Sequence, residues 1–210
     1  MLDELRLLAI AGPPLVEPAH VVDVCRAAEA GGVTAIQLRV KEASAGDLLR
    51  WTEQLCAALS IPVYVNDRSD VALLGNATGV HVGVDDLPPS AVRALAGNAL
   101  RIGMSVGTPS EADAACGEDV DYWSIGALFA TDTKPDAGAP IGLRGFQALA
   151  AKATSTMTVL AIGGIQLGNV KDVIAVGAHG VAVSSAVFGS GQVERAARAL
   201  RTALDSAIGH

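Results

Sequence analysis

Eight short β-rich runs alternate with amphipathic stretches along the chain, and this alternation constrains the fold more than any other feature of the sequence. The runs are Leu5 to Ala11, Val33 to Arg39, Pro62 to Asn66, Gly79 to Val82, Leu100 to Met104, Tyr122 to Gly126, Thr158 to Gly163 and Gly180 to Ser184. Several are continuously apolar, the pattern of strands covered on both faces. Helical periodicity marks Val21 to Ala30, Ala45 to Leu59, Pro89 to Leu95, Pro109 to Cys116, Leu143 to Lys152, Asn169 to Val176 and Gln192 to Ile208. Helix-stop signals fall at Gly31-Gly32, Gly97-Asn98 and Gly177, each just before a new run. Strict β-then-α alternation implies a parallel sheet, and eight pairs favour closure over an open doubly wound sheet. The expectation is an α/β fold, a single (β/α)8 TIM barrel across residues 1–210, because no linker or low-complexity run divides the chain.

Composition fits that reading. Half the residues are hydrophobic but only 3% are aromatic, and there are 23 glycines, so the core must be built mainly from Ala, Val, Leu and Ile. The net charge of −7 excludes the broad basic footprint of a nucleic-acid partner or a polybasic membrane surface. Any anionic ligand must therefore be gripped locally. No apolar run approaches the ~20 residues of a bilayer span, and the start, Met1-Leu2-Asp3-Glu4, lacks a signal peptide's basic region. A cytoplasmic location is expected, and a homo-oligomer is compatible with it. Cys25, Cys56 and Cys116 show no metal-ligand spacing and read as reduced core thiols.

In such a barrel the chemistry gathers at the C-terminal ends of the strands, and unusual polar residues cluster there. The second run ends Gln37-Leu38-Arg39-Val40-Lys41, where a period of two sets Gln37, Arg39 and Lys41 on one face. Two cations and an amide on one face form an anion clamp. Asn66-Asp67-Arg68 closes the third run, and the fourth leads through His81 to Asp85-Asp86. Asp67, Asp85 and Asp86 offer hard oxygen ligands suited to Mg²⁺, which keeps waters and takes further ligands from substrate phosphates. Asp85 reads equally as a cap or turn residue, and His81 as a packed, hydrogen-bonded core residue. Ser105 follows the fifth run, and the sixth opens into the longest connection, Thr131 to Gly138.

The last two runs end differently. Ile162-Gly163-Gly164-Ile165 precedes one helix and Ser184-Ser185-Ala186 precedes the last helical region, a place where backbone amides can meet a phosphate. Two unequal anion sites follow: a metal-assisted diphosphate site on the second to sixth runs, and a Gly/Ser cradle for a monophosphate on the seventh and eighth.

These segments, taken in order, resemble the thiamine phosphate synthase family over nearly the whole chain. The resemblance rests on Gln37 to Lys41, Val65 to Arg68, Gly79 to Asp86, Gly103 to Val106, Gly126 to Lys134, Pro140 to Leu143, Ala161 to Ile165 and Ser184 to Ala186. It implies a transferase of thiamine biosynthesis that joins 4-amino-2-methyl-5-hydroxymethylpyrimidine diphosphate to a thiazole phosphate, giving thiamine monophosphate and pyrophosphate with Mg²⁺. It further implies that Asp67 and Asp86 hold Mg²⁺ and that Arg39, Lys41, Asn66 and Lys134 hold the diphosphate. Gln37 and Ser105 would contact the pyrimidine substrate or its leaving group, Thr131 and Thr133 would position the thiazole, and Gly164, Ser184 and Ser185 would cradle its phosphate. Arg39, Lys41, Ser105 and Lys134 would carry the catalysis. The chain departs from the family pattern at Ile10 to Pro14, where Thr-Asp is common, at Val84, where Gln is common, and at Gly107, where many members carry His. Related thiazole tautomerases depend on that histidine, so Gly107 counts against a tautomerase. A catalytically silent barrel that binds phosphate ligands is the other alternative, and the retained cations and carboxylates argue against it.

Overall fold

A computed structural model of the chain describes residues 2–131 and 138–209. Eight parallel strands close into a barrel in sequence order: β1 (Leu7–Ala11), β2 (Ala35–Leu38), β3 (Val63–Asn66), β4 (Gly79–Val82), β5 (Arg101–Val106), β6 (Tyr122–Ile125), β7 (Thr158–Ile162) and β8 (Gly180–Val183). Helices α1 (Val21–Ala30), α2 (Ala45–Ala58), α3 (Ser69–Leu74), α4 (Pro89–Ala96), α5 (Pro109–Ala115), α6 (Gly142–Ala150) and α7 (Val170–Ala175) connect them, with α8 (Ser185–Phe188) and α9 (Val193–Ile208) at the end. The expected eight-stranded barrel is therefore present, and no helix among the described residues is long and apolar enough to cross a membrane.

The differences from expectation are local. Strand β1 begins at Leu7 because Asp3–Leu5 forms a turn of 3-10 helix. Strand β5 runs to Val106, two residues further than its apolar run, since Ser105 and Val106 pair with Ser124 and Ile125. Helix α3 is too short for periodicity to announce, and α8 is a single turn that separates Ser184 from the terminal helix. Cys25 is buried, and that burial lifts its thiol to about 12, but Cys116 is exposed at the end of α5 and is not a core residue.

Two apolar layers follow from the period of two. Outward residues such as Ile36, Val65, Val80, Ile102, Trp123 and Val181 pack beneath the helices. Inward ones form a smaller core of Leu5, Leu8, Ala35, Tyr64, Tyr122, Leu160 and Ala182. The two tyrosine rings meet edge to face at 5.7 Å. They fit because glycines stand on adjacent strands: a Cβ at Gly79 would lie 2.7 Å from the Tyr64 ring, and one at Gly103 would collide with the Tyr122 ring. Both tyrosines of the chain thus plug the barrel, and the site is built on that plug.

Candidate active site

Above the tyrosines, the next inward layer is polar. Gln37 Nε2 donates to Asn66 Oδ1 at 2.8 Å, fixing two neighbouring strand ends against each other. His81 is 7% exposed and pairs through Nδ1 with the Tyr122 hydroxyl and through Nε2 with Ser105 Oγ, both at 3.0 Å. His81 is the bonded core residue expected of it, and it also lines the cavity above.

That cavity, of about 530 Å³, opens at the C-terminal ends of the strands. It gathers Gln37, Arg39, Lys41, Asn66, Asp67, Asp86, Ser105, Thr131, Gly164, Ser184 and Ser185, residues spread over nearly 150 positions of sequence. Thr133 and Lys134 lie outside the described residues. Gln37, Arg39 and Lys41 share the cavity while Leu38 and Val40 belong to the apolar layer behind, as alternation along one strand requires.

The carboxylates occupy the β3 and β4 ends. Asp67 adopts a left-handed backbone, φ 64°, which a short polar side chain tolerates and which costs about 1 kcal/mol. Asp86 Oδ2 accepts a 2.7 Å bond from the Gly83 N–H, so the carboxylate is clamped by its own turn. Asp85, which in the sequence reads equally as a cap or turn residue, is exposed at the rim. Partial burial, followed by hydrogen bonding to and charge repulsion from Asp86, lifts the Asp67 carboxyl to about 6, and the opposing pull of Lys41 and Arg39 does not cancel it. Among the described residues no group of three or more His, Cys, Asp or Glu side chains could enclose a metal. A two-carboxylate site suits Mg²⁺, which tolerates few protein ligands, and is too sparse for a caged metal.

The opposite rim is neutral. Gly163 and Gly164 have φ of 97° and 63°, and a Cβ at Gly164 would sit 2.6 Å from Ala130 O. Glycine is thus demanded by the loop after β6 lying across the end of β7. Helix α7 starts at Val170, within one residue of the expected Asn169, so the group that faces the cavity on this side is the glycine turn preceding it. Ser184 donates to Ile10 O at 2.8 Å and precedes α8, leaving Ser185 exposed at the rim. Gly12 lets the end of β1 approach the end of β2 closely, because a Cβ there would collide with Arg39 O.

Three polar cavity residues, Thr108, Glu111 and Ser124, stand outside the sequence-based expectation. Glu111 accepts a 2.7 Å bond from the Gly107 N–H, and its own N–H donates to Thr108 Oγ at 3.2 Å. The Thr108-Pro109-Ser110-Glu111 spacing is a capping-box signal that could have located it. Position 107 is tight as well, since a Cβ there would lie 3.0 Å from Gly126 O.

Residues 7–187 match the family model described as thiamine monophosphate synthase. The thiamine-phosphate synthase of Moorella thermoacetica is 44% identical over 191 residues, covering 90% of each chain. That of Xanthobacter autotrophicus is 40% identical over 204 residues, 96% of each. The solved thiamine phosphate pyrophosphorylase of Pyrococcus furiosus superposes with a TM-score of 0.89 at 34% identity, covering 99% of this chain and 98% of that one.

Proposed function

The chain belongs to the thiamine monophosphate synthase family, and on that premise we propose how its cavity joins a hydroxymethylpyrimidine diphosphate to a thiazole phosphate, with release of pyrophosphate. The observation that carries the reading is the division of one cavity into a rim bearing Arg39, Lys41, Asp67 and Asp86 and a neutral rim bearing Gly164 and Ser185. The diphosphate belongs on the charged rim and the monophosphate on the neutral one.

The reaction breaks the bond between the pyrimidine methylene and the diphosphate oxygen. Its electron pair leaves with pyrophosphate, and the thiazole nitrogen supplies the pair for the new C–N bond. An aminopyrimidine delocalises positive charge from its methylene, so the protein need not supply a nucleophile. Its tasks are to stabilise charge on the departing group and to align the partner. Arg39 and Lys41 serve the first task as a planar fork and a mobile point charge, with Lys134 assigned beside them from its family position. Asn66, oriented by Gln37, offers its amide N–H groups to the same oxygens. Asp67 and Asp86 would hold Mg²⁺, whose contribution when bound is to offset negative charge on the diphosphate. Thr131 and Thr133 are assigned to the thiazole, with Gly164, Ser184 and Ser185 around its phosphate.

The test is to mix the purified protein with both precursors and Mg²⁺ and follow pyrophosphate and thiamine monophosphate together. Equal amounts of both, formed only when both precursors are present, support the synthase. Turnover of the thiazole phosphate alone would indicate a tautomerase, and binding without turnover a silent barrel.

A further inference from the structure

One hydroxyl in the cavity wall stands apart from its neighbours. Ser124 lies mid-strand on β6, facing inward between the outward-packed Trp123 and Ile125. It is 3% exposed, and its Oγ forms no hydrogen bond. It pairs in register with Ser105 on β5 and Leu160 on β7. Ser105 is bonded to His81, and Gln37 to Asn66, so the surrounding polar groups already answer one another. A buried hydroxyl without a partner is disfavoured, and native proteins rarely retain one. Ser124 also lines the cavity, so a ligand seated there can supply the missing bond.

We propose that Ser124 is a specificity-determining residue that hydrogen-bonds the ring edge of the aminopyrimidine; the proposal rests on the synthase reading and deepens it. The chemistry of the two substrates decides between them. The phosphate groups belong to the rims, where the cations, carboxylates and glycine turn lie, whereas Ser124 sits lower, level with Ser105 on the strands. A thiazole offers one ring nitrogen, which must stay free to attack, and a sulfur, which accepts hydrogen bonds poorly. An aminopyrimidine offers ring nitrogens that accept and an exocyclic amine that donates. A hydroxyl can answer either, while Ile162 on the neighbouring strand lines the same cavity and provides apolar surface for the ring face.

Ser124→Ala is the variant to make, read by steady-state kinetics with each substrate varied separately and by thermal melting of the free protein. The KM for the pyrimidine diphosphate is expected to rise about tenfold, with the KM for the thiazole phosphate within about twofold of wild type. The melting temperature should not fall, because the hydroxyl removed has no partner in the protein. Unchanged constants, a rise confined to the thiazole phosphate, or equal rises in both would overturn the proposal. A marked drop in melting temperature would also overturn it by assigning Ser124 a structural role. If the wild-type protein forms no product, the synthase reading itself fails. Calorimetric titration of wild type and Ser124→Ala with the pyrimidine diphosphate then still decides the proposal, with weaker binding to the variant supporting it and equal binding overturning it.

Discussion

The two rims of the cavity are suited to anions by opposite means. Over β2 to β4 the chain places full charges, with Arg39 and Lys41 opposite Asp67 and Asp86, and accepts a left-handed aspartate and a carboxyl lifted to about 6. Over β7 and β8 it places glycine backbone and serine, and its positive φ angles fall on residues made for them. The difference follows the chemistry proposed for each side. Charge builds on the departing pyrophosphate, so groups that respond to charge act there. The thiazole phosphate keeps its charge throughout, so it needs only to be held.

The largest expected effect lies on the charged rim. Asp67→Ala or Asp86→Ala should lower turnover at least about 100-fold while leaving the circular dichroism spectrum intact, and activity within threefold of wild type would dissolve the distinction between the rims. On the neutral rim, Gly164→Ala should destabilise the fold by about 1–3 kcal/mol, because the new Cβ meets Ala130 O and Phe129 in a left-handed backbone. Thermal melting checks this, and a variant as stable as wild type would show that the loop after β6 does not require glycine there. Ser185→Ala, which removes an exposed hydroxyl at the rim, should raise the KM for thiazole phosphate about 3–10-fold and leave the Mg²⁺ dependence unmoved.

The smallest effect has the opposite sign. The folded protein raises the Asp67 carboxyl from an ordinary 3.8 to about 6, so the charged form is disfavoured and the fold bears that cost above about pH 6. The cost is relieved as pH falls from about 6 towards 4. Asp67→Asn, which also suits the left-handed backbone, should therefore melt slightly higher than wild type at pH 7.5, by less than about 1 kcal/mol after solvent screening. The gain should vanish near pH 4, while activity is lost at both. A variant less stable at pH 7.5 would show that burial and the neighbouring Asp86 do not disfavour the charged form of Asp67.

The barrel and the charged rim were legible because both rest on short-range periodicity. Eight alternations set the strand count, and a period of two put Gln37, Arg39 and Lys41 on one side of β2. What escaped depended on neighbours far apart in sequence. Nothing in Tyr122-Trp123-Ser124-Ile125 announces that Ser124 faces the cavity without a partner, since that depends on the strands beside it. Gly163-Gly164 reads as a phosphate turn, but its glycines are also demanded by the loop lying over them. That Asp86 is clamped by its own turn rests on the bond from Gly83, which the residues alone do not announce.

The claim that the rims differ in kind is tested most directly by titrating each substrate calorimetrically, with Mg²⁺ present and with Mg²⁺ removed by a chelator. Affinity for the pyrimidine diphosphate should rise at least about tenfold with the metal, and affinity for the thiazole phosphate should stay the same. Equal Mg²⁺ dependence for both substrates, or none for either, would contradict it.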